Sequence, residues 1–213
     1  ALVLDPTIIF VTARSVIALM GVATTYLTYR LGRQIFSSER AGLLAAIFLS
    51  FSFYHLQLSH VTRHWMPAAL AMSVAWLAIF EIYRNASLRA YLLSGFFAGL
   101  GVGANTAAAS VMIPAIAAHF MRPSEQGLRR QGDSRRLALL GIVFLVVSLS
   151  FIVLYPYGLT QGEAAEGGAT ATLMAKFNNL TQKSLVEWFG FLWYYGRLLL
   201  TYETILFIAA IAG

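Results

Sequence analysis

The chain has 213 residues, 59% of them hydrophobic and only 11% charged, where a soluble domain carries about 25% charged residues. That balance excludes a soluble globular domain, and the absence of cysteine excludes a disulfide framework or a thiolate site. The net charge of +6 is read as membrane topology, not as a nucleic-acid surface.

The first expected helix runs from about Pro6 to Tyr29, with Pro6 suited to a first turn. It contains Arg14, about two turns inside the span, where a charge costs at least ~2.5 kcal/mol. Two readings are open: Arg14 snorkels or pairs with another helix, or it marks an anion site near the outer leaflet. A guanidinium suits a lipid phosphate because its planar fork donates two hydrogen bonds at once.

A polar cluster, YRLGRQIFSSER, follows, and then a second span from about Gly42 to Leu58. The stretch SHVTRHWMPA separates it from a third span, about Trp65 to Ile82. His60 and His64 are four apart, which on one helix would put both on one face, as in a two-histidine metal pair. No acid or third histidine partners them, so no metal is expected. The simpler reading is an interfacial cap of polar and aromatic residues. The functional reading is phosphate or sugar contact by His60, Arg63 and His64.

The run from Ala90 to Met121 has no formal charge. As one helix of 32 residues it would be about 48 Å long, against a hydrocarbon core of about 30 Å. Two short helices turning at GVGANT, with Asn105 and Thr106 at the bend, are therefore expected. Gly95, Gly99, Gly101 and Gly103 resemble a dinucleotide loop only superficially, since no strand precedes them. As small-xxx-small pairs they predict close helix packing in lipid.

A five-arginine loop, RPSEQGLRRQGDSRR, leads to a sixth span, about Leu137 to Tyr155, which ends in YPYG. Residues 157–196 are too polar to span and rich in aromatics. They are read as an outer interfacial loop with an amphipathic helix; Tyr157 at its start and the flanking Tyr155 and Arg197 are candidate substrate contacts. A last apolar stretch begins near Leu198. The fold class is thus all-α, a polytopic transmembrane bundle of about seven spans. Because the chain starts and ends inside apolar sequence with no basic leader, it is expected to be part of a longer protein.

Arginine decides orientation. Alternate loops place Arg30, Arg33, Arg40, Arg84, Arg89, Arg122, Arg129, Arg130, Arg135 and Arg136 on one side, and Arg63, Lys176, Lys183 and Arg197 on the other. The first set belongs in the cytoplasm, so SHVTRHWMPA and 157–196 face outward. The nine acids form no convincing acid/base pair.

The run TARSVIALMGVATTYLTYRLGRQIFSSERAGLLAAIFLSFSFYHLQLSH resembles the second and third spans of GT-C glycosyltransferases. The branch it is most similar to is glycosyltransferase family 39, the dolichyl-phosphate-mannose protein mannosyltransferase and aminoarabinose transferase group. YLLSGFFAGLGVGANTAAASVMIPA is similar to that family's hairpin, and YPYGL to its motif before a long outer loop. The resemblance covers nearly the whole chain from Thr7 onward. It implies sugar transfer from a polyprenyl-phosphate carrier to a protein, lipid or glycan acceptor, with no cofactor and with membrane lipid as a partner. It also implies a multi-pass protein of a prokaryotic plasma membrane whose active face is outside. Arg14 matches the family's arginine early in the second span, which implies a structural or phosphate-side role.

Three departures stand beside it. The family's first span and acidic first outer loop, which carries its general base, have no counterpart here. Its Pro-Asp after Ser-His is replaced by Arg63-His64-Trp65, and Asn105 stands where many members have lysine. A membrane transporter or lipid flippase is the alternative reading, since an intramembrane arginine and a glycine-rich broken hairpin also suit transport.

Overall fold

The computed structural model describes residues 6–61, 64–122 and 133–154, together with Trp193 and Arg197. Among these, every regular element is helical: α1 (Pro6–Phe36), α2 (Glu39–Phe51), α3 (Phe53–His60), α4 (Trp65–Asn85), α5 (Leu88–Ala104), α6 (Met112–Met121) and α7 (Asp133–Leu154). A 3-10 segment, Thr106–Val111, joins α5 to α6. The chain divides into two compact units after Leu149. Of the second, the described residues are 150–154, which finish α7, and the exposed Trp193 and Arg197.

Serine caps and left-handed residues set the breaks. Ser37 (φ 51°) ends α1 in the left-handed region, and Ser38 then caps α2 by accepting from Ala41 N. Ser52 closes α2 through its N–H to Leu49 O. The same residue opens α3 by accepting from His55 N at 3.2 Å. One serine therefore caps two helices, which bend by 62° where a continuous second span is expected. Ala86 (φ 47°) and Ser87 repeat the arrangement between α4 and α5.

α1 extends further than the sequence pattern suggests. Arg30 and Arg33 lie on the helix instead of in a loop, and Arg33 reaches Glu39 across the turn at 3.5 Å. With 31 residues α1 is about 46 Å long, well beyond a hydrocarbon core of about 30 Å. Arg14 stands sixteen residues from Arg30, or about 24 Å along the axis. That separation brings it close to the far boundary of the hydrocarbon, so it is shallower than its place in the expected first span implies.

The expected break at GVGANT is found: α5 stops at Ala104, and Asn105 is extended and caps the 3-10 segment by accepting from Ala107 N at 2.9 Å. Tyr91, near the start of α5, hydrogen-bonds His119, near the end of α6, at 2.6 Å. The two helices thus run antiparallel as a closed hairpin. Pro67 and Pro114 both sit in the first turn of their helices, where no amide hydrogen is needed.

Three helices are long and apolar enough to cross a membrane: Thr7–Phe36 in α1, the whole of α4, and Ser134–Phe151 in α7; α2 with α3 makes a fourth if counted as one broken span. α5 and α6 are shorter apolar helices. The described residues therefore do not reach the expected seven spans. The last expected span lies outside them, as does segment 157–196 apart from Trp193.

α4 is the centre of the first unit, packed on α5, α1 and α6. Its buried residues, Met66, Ala68, Ala71, Ala75, Ala78, Ile79 and Ile82, recur at helical spacing. Small residues let neighbouring backbones approach where no hydrophobic gain separates lipid from protein. On α5, a Cβ at Gly95 would lie 2.6 Å from Leu140 O of α7, and one at Gly99 would lie 2.9 Å from Phe144 O. The expected small-xxx-small packing thus has α7 as its partner.

A matched pair of substitutions checks this. Gly95→Ala presses a methyl on backbone that moves only with α7 and is expected to cost on the order of 1–3 kcal/mol. A Cβ at Gly141, also on α7, meets nothing within 4 Å, so Gly141→Ala is expected to be neutral or stabilising by up to about 1 kcal/mol. Unfolding titrations of the two variants in detergent report the contrast.

Candidate functional site

At the end of the bundle opposite the arginine-rich turns, α3 gives way to α4. His60 is the last residue of α3, Val61 is extended (φ −100°, ψ 123°), and His64 immediately precedes α4. The change of backbone direction at Val61 removes His60 and His64 from any common helical face. The two-histidine arrangement suggested by their spacing is therefore not formed. Both are exposed. The His64 ring stacks on Trp65 with centroids 5.0 Å apart and 30° between planes, which orients the imidazole along the rim. Arg63, Tyr155 and Tyr157 lie outside the described residues. Arg197 is exposed in the second unit.

Glycine decides how this rim meets α1. A Cβ at Gly21 would fall 2.5 Å from Ser59 Oγ and 3.3 Å from Met66 Cε. α1 can lie against the end of α3 and the start of α4 only because position 21 has no side chain. Ser59 donates to His55 O at 2.7 Å, which satisfies its hydroxyl inside the crossing.

One turn deeper, Thr25 donates to Gly21 O at 3.2 Å, while its oxygen lies 3.3 Å from His55 Nε2. Which of Thr25 and His55 donates to the other follows the His55 tautomer. Thr24 and Thr28 likewise donate to Met20 O and Thr24 O on their own helix. Sequence reasoning missed His55, Ser59 and Thr25 as a group. The available signal was polar spacing, with Thr24, Thr25 and Thr28 on one side of α1 and His55 and Ser59 one turn apart.

Arg14 is seven residues before Gly21, two turns or about 10 Å further along α1 and rotated by only about 20°. It stands beyond the rim on the side of α1 that meets it. Arg14 is exposed and has no hydrogen-bond or ion-pair partner among the described residues. The structure stacks His64 on Trp65 at the start of α4, leaves His60 exposed at the end of α3, and carries Arg14 two turns beyond Gly21 on α1 without a hydrogen bond or ion pair to any of them.

This arrangement offers a cation, two imidazoles and an indole face at a lipid–water boundary. Such a set holds a phosphate and stacks on a sugar ring. No carboxylate lies at this end among the described residues: Glu39, Glu81 and Asp133 all belong to the arginine-rich end.

A test of the polar crossing is Thr25→Val, which keeps the shape and removes the partner of His55. Such intramembrane hydrogen bonds average about 0.6 kcal/mol, and the variant is expected to lose that order of stability in a reversible detergent unfolding titration.

The family model described as dolichyl-phosphate-mannose-protein mannosyltransferase matches residues 10–155, which include the rim, the crossing and the α5–α6 hairpin. No curated protein and no solved structure matches the chain.

Proposed function

We propose, from the premise that the chain belongs to the dolichyl-phosphate-mannose-protein mannosyltransferase family, that it moves a sugar from a polyprenyl-phosphate carrier to an acceptor on the extracytoplasmic face. The family points to glycosyl transfer by an integral membrane protein of the GT-C, family 39 type. The donor, the acceptor side and the residue roles given below are our reading.

What supports it most is the set of groups at the end away from the arginine-rich turns: exposed His60, the His64–Trp65 stack, and the exposed Arg14 two turns beyond Gly21 on α1. In the donor the sugar C1 is joined to a phosphodiester bearing one negative charge. When the C1–O bond breaks and an acceptor hydroxyl takes its place, the carrier leaves as a phosphomonoester that gains a second charge. A guanidinium at the boundary therefore stabilises the transition state more than the ground state. His60 and His64 add hydrogen-bond donors beside it, and Trp65, held by its stack on His64, presents an apolar ring to the sugar. Arg63 is proposed as a further donor contact.

The acceptor's proton passes to a base that is not among the described residues. The family match favours transfer over a transporter or flippase, which the residues alone left open.

Removing one charge-assisted contact to a phosphate costs about 1.5–3 kcal/mol, or roughly 10- to 150-fold in rate. Arg14→Gln in the full-length protein is expected to lower kcat/KM for a labelled polyprenyl-phosphate hexose by that factor. Trp65→Ala is expected to act mainly on KM. Wild-type transfer from both Arg14→Gln and Arg63→Gln would remove the guanidinium role and the reading built on it.

A further inference from the structure

Among the described α-helices, α3 alone has no buried residue. Its eight residues make about two turns, or 12 Å. Both ends are broken, by the 62° bend at Ser52 and by the extended Val61. A helix so short is marginal by itself, and no continuous helix on either side fixes its rotation.

Two contacts meet α1 at matching steps. The side chain of Ser59 lies against Gly21, and Thr25 Oγ1 lies 3.3 Å from His55 Nε2. Gly21 and Thr25 are one turn apart on α1, and His55 and Ser59 are one turn apart on α3, so each pair shares one side of its helix. The two contacts differ in kind. Gly21 offers a seat without direction, and the Ser59 hydroxyl is turned to its own helix, donating to His55 O at 2.7 Å. Ser15, Thr24 and Thr28 likewise direct their hydroxyls to carbonyls of α1. Thr25 and His55 instead join two helices, side chain to side chain.

In lipid, sliding a helix over a glycine seat changes apolar burial little. Register then falls to the directional contact. A shift of one residue moves side chains by about 1.5 Å along the axis and 100° around it, which no hydrogen bond of this length survives. His60 directly follows Ser59 and ends α3, so such a shift carries its imidazole along.

We propose that His55 is a positioning residue: paired with Thr25, it sets the register of α3 on α1 and through it the place of His60 toward the donor phosphate. The inference rests on the donor reading given above. Fixing register at little gain in stability is the best-attested use of a lone polar group between helices. His55 itself touches neither donor nor acceptor.

The test uses reconstituted full-length protein and reads both donor kinetics and helix spacing. His55→Leu and Thr25→Val are expected to raise KM for a labelled polyprenyl-phosphate hexose roughly 2- to 10-fold, the worth of one hydrogen bond from His60, with kcat nearly unchanged. The double variant is expected to be no worse than either single one, since each removes the same contact. His55→Gln, which carries an amide at about the reach of Nε2, and Thr25→Ser are expected to restore the parent KM. A loss of folded protein alone would lower the active fraction and leave KM where it was. Spacing is read by pulsed EPR between labels on Leu19→Cys and Leu56→Cys, both exposed positions in a stretch without cysteine. A narrow distance distribution is expected in the parent, His55→Gln and Thr25→Ser, and a broadened or shifted one in His55→Leu and Thr25→Val. Parent-like distances in His55→Leu and Thr25→Val overturn the register role whatever the kinetics show. Altered distances with an unchanged KM overturn the link to the donor. A parent that transfers no sugar removes the donor reading itself, and the distances still decide whether His55 sets the register.

Discussion

Helices immersed in lipid gain nothing by hiding apolar side chains from one another, so this bundle depends on how closely its backbones approach. The approach is set at glycines. Gly21 admits Ser59 and Met66, Gly42 admits the backbone of Tyr29, and Gly95 and Gly99 admit the backbone of α7. Alanines do the same along α4, the helix against which α1, α5 and α6 pack. Everything that positions the two polar ends follows from these crossings.

The second constraint is that a polar group inside the hydrocarbon must find its partner within the protein. Thr24, Thr25 and Thr28 return their hydrogens to carbonyls of their own helix, and Thr25 also meets His55 on α3. The crossing below the rim is thus polar and internally satisfied. His60 and His64 above it are exposed and available. That division leaves the donors at the rim uncommitted to the crossing beneath them.

The two breaks in the helices have different consequences. At Ser52 one side chain caps α3 while its N–H closes α2, and the resulting bend brings His55 and Ser59 across α1. At Asn105 the chain reverses completely. The hairpin so formed returns His119 to Tyr91 and, with Arg136, assembles the arginine-rich end. A bend thus shapes one end of the bundle, and a reversal builds the other.

Length and hydropathy by themselves determined that the chain is a helical membrane protein. They also showed that 32 uncharged residues must break near Asn105 and that Gly95 and Gly99 serve packing, because each of these follows from local spacing measured against a bilayer. The separation of His60 from His64 was beyond that reach. Their spacing suggests a shared helical face, and only the extended backbone at Val61 shows that α3 has already ended. The bend at Ser52 was equally hidden, since an uncharged run reads as one span whether straight or broken. Tertiary structure alone decided that Tyr91 meets His119 and that Thr25 meets His55. These partners lie 28 and 30 residues apart in the chain, and no periodic pattern encodes which helix crosses which.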